Sequence, residues 1–390
     1  MAELVTGISE LTTCDPDLGV VPDAAVVVDA GRIAWVGPAA RAPEADTATD
    51  LGGRAVLPGW VDSHTHLVFD GDRSAEFRAR MAGEEYAAGG IQVTTDATRS
   101  ADDDRLRALV TARVAEAAAG GTTTIETKTG YGLTVEDEAR SARIAAELVD
   151  EVTFLGAHLV PAGWDAEEYV DLVVGDMLDA VAPHVRWADV FCERGAFDED
   201  QSRRVLEACR DRGIGLRVHG NQLGEGPGVQ LAVELGAASV DHVAFLSDSD
   251  VEALAGSDTV ATVLPGADLS TRMPLAPARR LLDAGATLAI ASNCNPGTSY
   301  TSSMAFCVTT AVLQMGLSIE EAVRAATWGG ARALRRETGD GPDGLGAVGS
   351  IAVGHRADLH ALTHPAAIHL AYRPGMPATH AVWRAGRRVA

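Results

Sequence analysis

Lysine is almost absent from this chain of 390 residues: Lys128 is the only one, and arginine supplies nearly all the positive charge. Basic residues number 32 against 55 acidic ones, a net charge of -23. That balance argues against a nucleic-acid partner, which needs a basic footprint. It does not name a substrate, because net charge speaks to solubility rather than to chemistry. Cysteine is sparse as well: Cys14, Cys192, Cys209, Cys294 and Cys307 are odd in number and share no short spacing. Neither a disulfide framework nor a paired-cysteine metal site is indicated, and a reducing cytoplasm is the expected location. The opening MAELVTGISELTT carries acidic residues and no apolar stretch of signal-peptide length. No run approaches the ~20 apolar residues of a membrane span. What is present is a hydrophobic fraction of 46% and a mean hydropathy of +0.05, which suit a globular protein with a substantial core. The length suggests one large domain and a smaller one.

The two ends of the chain read alike. Residues 1–56 hold short β-type runs such as AAVVVDAGRIAWVG, and residues 347–390 hold SIAVGHRADLHALT and ATHAVWRAGRRVA. Both look like small antiparallel strands that pair with each other, since neither alone makes a stable sheet. Residues 57–346 are different. RAVLPGWVDSH, TTTIETK, VTFLGAH, ADVFCE, IGLRVHG, ASVDHV, TVATVLPG and TLAIASN read as eight strands with helical patterns between them. One of these helices is built on Leu106, Leu109, Val110, Val114 and Ala117 and closed by Gly120 and Gly121; another starts at Thr134 with Asp137 three residues on. Eight such units predict a closed (β/α)₈ barrel. A doubly wound open sheet is the competing fold, weakened by the lack of a GxGxxG turn after a first strand.

In a barrel of this type chemistry gathers at the C-terminal ends of the strands. Of the six histidines between residues 60 and 300, five stand at such ends: His64, His66, His158, His219 and His242, with His184 the exception. His64 and His66 are two apart on a strand, so both imidazoles face one side. Imidazole is a favoured ligand for zinc or iron, and His219 is the natural third ligand. An anionic oxygen from the eighth strand would complete a catalytic set, and Asn293 occupies that place. Taken singly, each of these histidines reads as an ordinary core or turn residue; their placement together favours a metal.

LPGWVDSHTH, the strand-five histidine, the strand-eight turn and GHRADL together resemble the amidohydrolase superfamily. HTHLVFDGDRSAEF, ETKTGYGLTVEDE, FLGAHLVP, ADVFCERGAF, HGNQL, DHVAFL and NCNPGTS narrow the resemblance to the imidazolonepropionase family, over nearly the whole chain. The resemblance implies a distorted TIM barrel with a β-sandwich assembled from both termini. It implies one zinc or iron ion per subunit, held by His64, His66, His219 and residue 293. No lysine ends the fourth strand, where binuclear relatives carry a carbamylated one, so a single ion is expected and Lys128 is assigned to a structural ion pair. The reaction implied is metal-assisted opening of the cyclic amide of 4-imidazolone-5-propanoate to N-formimidoyl-L-glutamate, a step in histidine degradation. By the same resemblance Arg73 grips the substrate's propanoate, for which an arginine fork is suited. Tyr131 and His158 contact the substrate, and Gln222 lies in the loop facing the ring. His242 assists the attacking water, and Asn295, Gly297 and Thr298 line the pocket. A homodimer is the usual assembly. Cys294 lies beside these residues with no base pattern and is read as packing, while His355, His360, His364, His369 and His380 are placed in the terminal sheet without chemistry.

The family carries aspartate where this chain has Asn293. Aspartate can bind a metal as an anion and move a proton; asparagine offers only a carbonyl oxygen. Weaker metal binding and a loss of rate are therefore expected, about 10²–10⁴-fold for one general base, with His242 left as a possible base. The competing expectations are a ligand-binding protein on the same scaffold, and an amidohydrolase or deaminase for another cyclic substrate. Arg73 separates them, because a substrate without a carboxylate gives it no work.

Overall fold

The computed structural model describes residues 1–83 and 90–390. The chain opens with four strands, β1 (Glu3–Thr12), β2 (Val20–Asp29), β3 (Arg32–Pro38) and β4 (Thr47–Pro58). Eight more follow: β5 (Trp60–Asp62), β6 (Thr122–Lys128), β7 (Glu151–Ala157), β8 (Trp187–Cys192), β9 (Gly215–Gly220), β10 (Ser239–His242), β11 (Val260–Val263) and β12 (Leu288–Ile290). The chain ends with β13 (Leu359–Leu362), β14 (Thr379–Arg384) and β15 (Arg387–Arg388).

Strands β5 to β12 lie in chain order, each parallel to the next, with helices between them. That unbroken order excludes a doubly wound sheet, which reverses at a switch point, and leaves a nearly closed (β/α)₈ barrel. The helix Asp103–Ala119 ends at Gly120, and the helix Val135–Leu148 is capped by Thr134, whose side chain accepts from the Asp137 N–H. Both follow from the sequence pattern.

The seam between β12 and β5 carries no strand ladder. It is closed at its C-terminal end by side chain and loop. Asp62 accepts from Ser292 N at 3.0 Å and from Ser292 Oγ at 2.5 Å. Beyond it, Asn293 N donates to His64 O at 3.0 Å and His66 N to Cys294 O at 2.9 Å. Lower down, the π-turn Ala325–Gly329 and the helix Gly330–Ala333 press on both strands. A Cβ on Gly329 would meet Leu288 O at 2.2 Å, and one on Gly330 would meet Val61 O at 2.4 Å. Only glycine lets backbone come that close.

The terminal strands form one seven-stranded sheet in the order β15-β14-β13-β4-β1-β2-β3. Hydrogen bonds from Ile33 N to His355 O and from Ala357 N to Gly31 O, both 2.9 Å, join its far hairpin back to the segment before β13. The sheet therefore curls over its own core of Val5, Leu11, Val26, Ile33, Leu359 and Trp383. Two readings of the sequence are corrected here. RAVLPGWVDSH is not one strand: it breaks at Gly59 into β4 of the terminal sheet and β5 of the barrel. A Cβ at Gly59 would sit 2.2 Å from Thr123 Oγ1. Of the five C-terminal histidines only His360 and His380 lie on the strands; His355 and His364 lie in turns and His369 opens the helix His369–Tyr372.

Candidate active site

Every strand-end histidine of the barrel is buried, and His66, His158, His219 and His242 line one pocket, with the His64 ring centroid 4.5 Å from that of His219. Its walls include His66, Arg73, Tyr131, His158, His219, Gln222, His242, Asn293, Asn295 and Thr298, with Ile91 and Phe191. His64, His219 and His242 each offer a ligand nitrogen within 4.8 Å of the others. His66 stands a step away, its ring centroid 5.3 Å from that of His64 and 5.5 Å from that of His219, and stacked on His158 at 5.8 Å. A hollow of about 760 Å³ at the terminal sheet, lined by Glu3, Asp29 and Arg356 among others, is larger. It gathers no such histidine set.

The backbone is strained where these groups emerge. His242 has φ 84°, Val243 φ 47° and Asn293 φ 52°. Left-handed backbone at a β-branched residue such as Val243 is an outlier, and residues held so cost of order 1–3 kcal/mol each and cluster at functional sites.

Carboxylates behind the pocket hold the rings. Asp241 Oδ2 lies 2.7 Å from His64 Nδ1 and accepts from Arg217 Nη2 at 3.1 Å. Asp189 Oδ1 accepts from His219 N at 3.0 Å and lies 3.0 Å from His219 Nδ1. The first contact turns His64 Nε2 toward the cluster, where it has no hydrogen-bond partner among the described residues. His66 Nδ1, His242 Nδ1 and Asn293 Oδ1 are likewise buried without one. Buried nitrogens and oxygens are rarely left so, and the nitrogens of His64, His219 and His242, close together, fit a metal ion. Burial, with Lys128 next, holds His64 well below the usual imidazole range. Burial and the neighbouring His64 and His219 do the same for His66. Burial pushes His158 down to about 4 and His242 to about 3. Neutral imidazole is the form that ligates. Burial also opposes ionisation of Asp241, but Arg217, His64 and Lys128 outweigh it and keep that carboxyl well below its ordinary value.

Arg73 closes the other side of the pocket. Glu76 takes its Nε and one Nη2 hydrogen at 2.8 Å each. Nη1 makes no hydrogen bond among the described residues, so only one edge of the fork is held. Tyr131 and His158 sit together, ring centroids 5.6 Å apart, and His158 Nδ1 lies 2.8 Å from Gly130 O. Their loop is pinned by Glu138, whose carboxylate accepts from Gly130 N, Gly132 N and Leu133 N.

The strand-eight turn is divided in its roles. Asn295 Oδ1 accepts from Gly297 N and Thr298 N, both 2.8 Å, and its Nδ2 donates to Asn293 O at 2.6 Å and Thr298 Oγ1 at 2.8 Å. Its amide is spent on shaping the turn. Gly297 is not brought to the pocket wall: its carbonyl accepts both Arg80 Nη groups, and a Cβ there would meet Arg73 Nη1 at 2.3 Å. Gln222 lines the pocket while its backbone N donates to Glu193 Oε2 at 2.9 Å. Burial pushes the Cys294 thiol up to about 12, which leaves it inert at neutral pH. Asp189, Arg217, Glu138 and Asp241 were not singled out from the sequence. No local spacing marks these residues, because each acts on a segment distant in sequence.

The sequence pattern of the amidohydrolase family matches residues 55–389. An imidazolonepropionase of Arthrobacter sp. is 69% identical, covering 100% of both chains. One of Saccharopolyspora erythraea is 68% identical over 99% of this chain and 98% of its own. Among solved structures, a zinc complex of an atrazine chlorohydrolase from Arthrobacter aurescens has a TM-score of 0.71 at 19% identity, covering 99% of this chain and 94% of that one. A zinc-bound adenosine deaminase from Xanthomonas campestris has a TM-score of 0.71 at 20% identity, covering 99% and 92%. At such identities the structural likeness speaks to the fold alone. No helix among the described residues is long and apolar enough to cross a membrane. By the family pattern and by full-length relatives alike, the chain belongs to the amidohydrolase family, among the imidazolonepropionases.

Proposed function

We propose that the chain hydrolyses the cyclic amide of 4-imidazolone-5-propanoate to N-formimidoyl-L-glutamate. One observation carries the reading: Arg73, with one edge of its fork uncommitted, lines the same buried pocket as the histidine cluster. A carboxylate at Arg73 places the rest of a small substrate against the histidines. One zinc or iron ion per subunit would be held by His64, His66, His219 and Asn293. Bound there, it would polarise the ring carbonyl and acidify water. Tyr131 and His158 pack on the substrate ring, and Gln222 offers its amide to the ring's polar edge. His242 assists the attacking water, and the proton the water gives up ends on the leaving ring nitrogen. The enzyme acts in the cytoplasm as a homodimer.

Asn293 stands where the family carries aspartate, and it lowers the rate in this reading. The experiment is an assay of 4-imidazolone-5-propanoate hydrolysis in this chain and in Asn293→Asp. A rise of about 10²–10⁴-fold in Asn293→Asp is the expected result. No turnover by either protein would leave the binding-protein or other-substrate readings in place. A second ligand set is favoured by one observation: His242, not His66, shares the tightest grouping with His64 and His219. Comparing zinc affinity in His66→Ala and His242→Ala separates the two sets.

A further inference from the structure

The chain's one lysine is completely buried among carboxylates. Lys128 ends β6, and its Nζ lies 3.0 Å from Glu126 Oε1, 2.9 Å from Asp189 Oδ2 and 3.9 Å from Asp241 Oδ2. All four side chains have 0% exposure. Asp189 comes from β8 and Asp241 from β10, so the ammonium reaches across the barrel interior rather than to adjacent strands. These two carboxylates are the ones that back His219 and His64. Each has one oxygen toward a histidine ring. The Asp189 oxygen toward Lys128 has no aligned hydrogen bond of its own.

The composition sharpens the point. Of 32 basic residues, every one except Lys128 is arginine. A chain that uses arginine everywhere else keeps lysine where a compact ammonium hydrogen-bonds Glu126 and lies against Asp189, with Asp241 a step farther off. A planar guanidinium, with its fixed fork, does not fit that demand. A buried charge network of this kind is weak evidence for stability, since replacing it with apolar groups is often neutral or better. Its retention needs another reason.

We propose that Lys128 is a positioning residue for the metal-binding histidines: its ammonium holds Asp189, which backs His219, and adds its charge beside Asp241, which Arg217 holds against His64. The proposal rests on the metal reading above. Groups that orient ligating histidines are worth about 10–100-fold in metal affinity.

The test is zinc affinity, measured by competition with a chromophoric chelator, in the parent chain and in Lys128→Met, with circular dichroism to check the fold. The expected result is a folded variant that binds zinc about 10–100-fold more weakly. Charge alone predicts the opposite, because removing a nearby cation tightens the hold on a dication. Unchanged or tighter zinc binding in folded Lys128→Met overturns the proposal. Should Lys128→Met not fold, Lys128→Arg decides. It keeps the charge and loses the compact ammonium, so weaker zinc binding supports the proposal and parent-like affinity overturns it. A parent chain that binds no zinc fails the metal reading itself, a separate outcome.

Discussion

The core of the terminal sheet and the interior end of the barrel are both buried and differ in chemistry. In the sheet the core side chains are apolar, Val5, Leu11, Val26, Ile33, Leu359 and Trp383 among them, with the ion pair Arg356–Asp358 at its margin. Behind the pocket they are Glu126, Lys128, Asp189, Arg217 and Asp241, all at 0–1% exposure. Burying apolar surface stabilises a fold at about 25 cal/mol per Å², whereas burying charge costs free energy unless every group is paired. The sheet is therefore where the chain gains stability, and the barrel end is where it spends some of it on holding histidines. The strained φ angles at His242, Val243 and Asn293 fall on the same side of that divide.

The division can be broken from either side. Beyond the effect of Asn293→Asp, the largest expected change is in Arg73→Met. Truncating one partner of a buried, hydrogen-bonded charge pair in a complex costs about 2–5 kcal/mol of binding. In steady-state kinetics, kcat/KM for the propanoate-bearing substrate should fall by about 10²–10³-fold, mostly through KM, while the denaturation midpoint moves little. An equal loss on an imidazolone lacking the propanoate would argue against a carboxylate at Arg73. Trp383→Ala should do the converse. It opens a cavity in the sheet core at a cost of about 3–5 kcal/mol by chemical denaturation, with zinc affinity of the folded chain unchanged. A smaller effect belongs to Asp268, on the helix Pro265–Thr271, whose carboxyl burial pushes up from 3.8 to about 7. The folded chain holds that proton more tightly than the unfolded chain. Stability from this group is present below about pH 4 and is lost as pH rises through about 7. Asp268→Asn should flatten stability over that window, as read by thermal midpoints at pH 5 and pH 8; an unaltered slope would discount the group.

The same two regions show how far sequence reading reaches. The eight strand segments and the histidines at their ends were legible, because both are patterns local in sequence. So was the pairing of the two chain ends into a separate sheet, although β1 runs parallel to β4 where antiparallel strands were expected; the ion pair at Lys128 came from the resemblance instead. The break at Gly59 was missed although Pro58-Gly59 marks it, because the apolar β-type residues on both sides read as one run. The partners of the histidines were hidden for a different reason. Asp241 stands beside His242 in sequence but serves His64, 177 positions away. Asn295 reads as a ligand-facing amide, and its hydrogen-bonding groups are consumed within its own turn.

The central claim is that the buried polar end of the barrel exists to hold a metal ion. The most direct measurement is elemental analysis of the parent chain and His219→Ala after equilibration with zinc and dialysis. The account predicts about one zinc per parent chain, and a large loss in His219→Ala with the fold retained. Equal zinc in both proteins, or none in the parent, would contradict it.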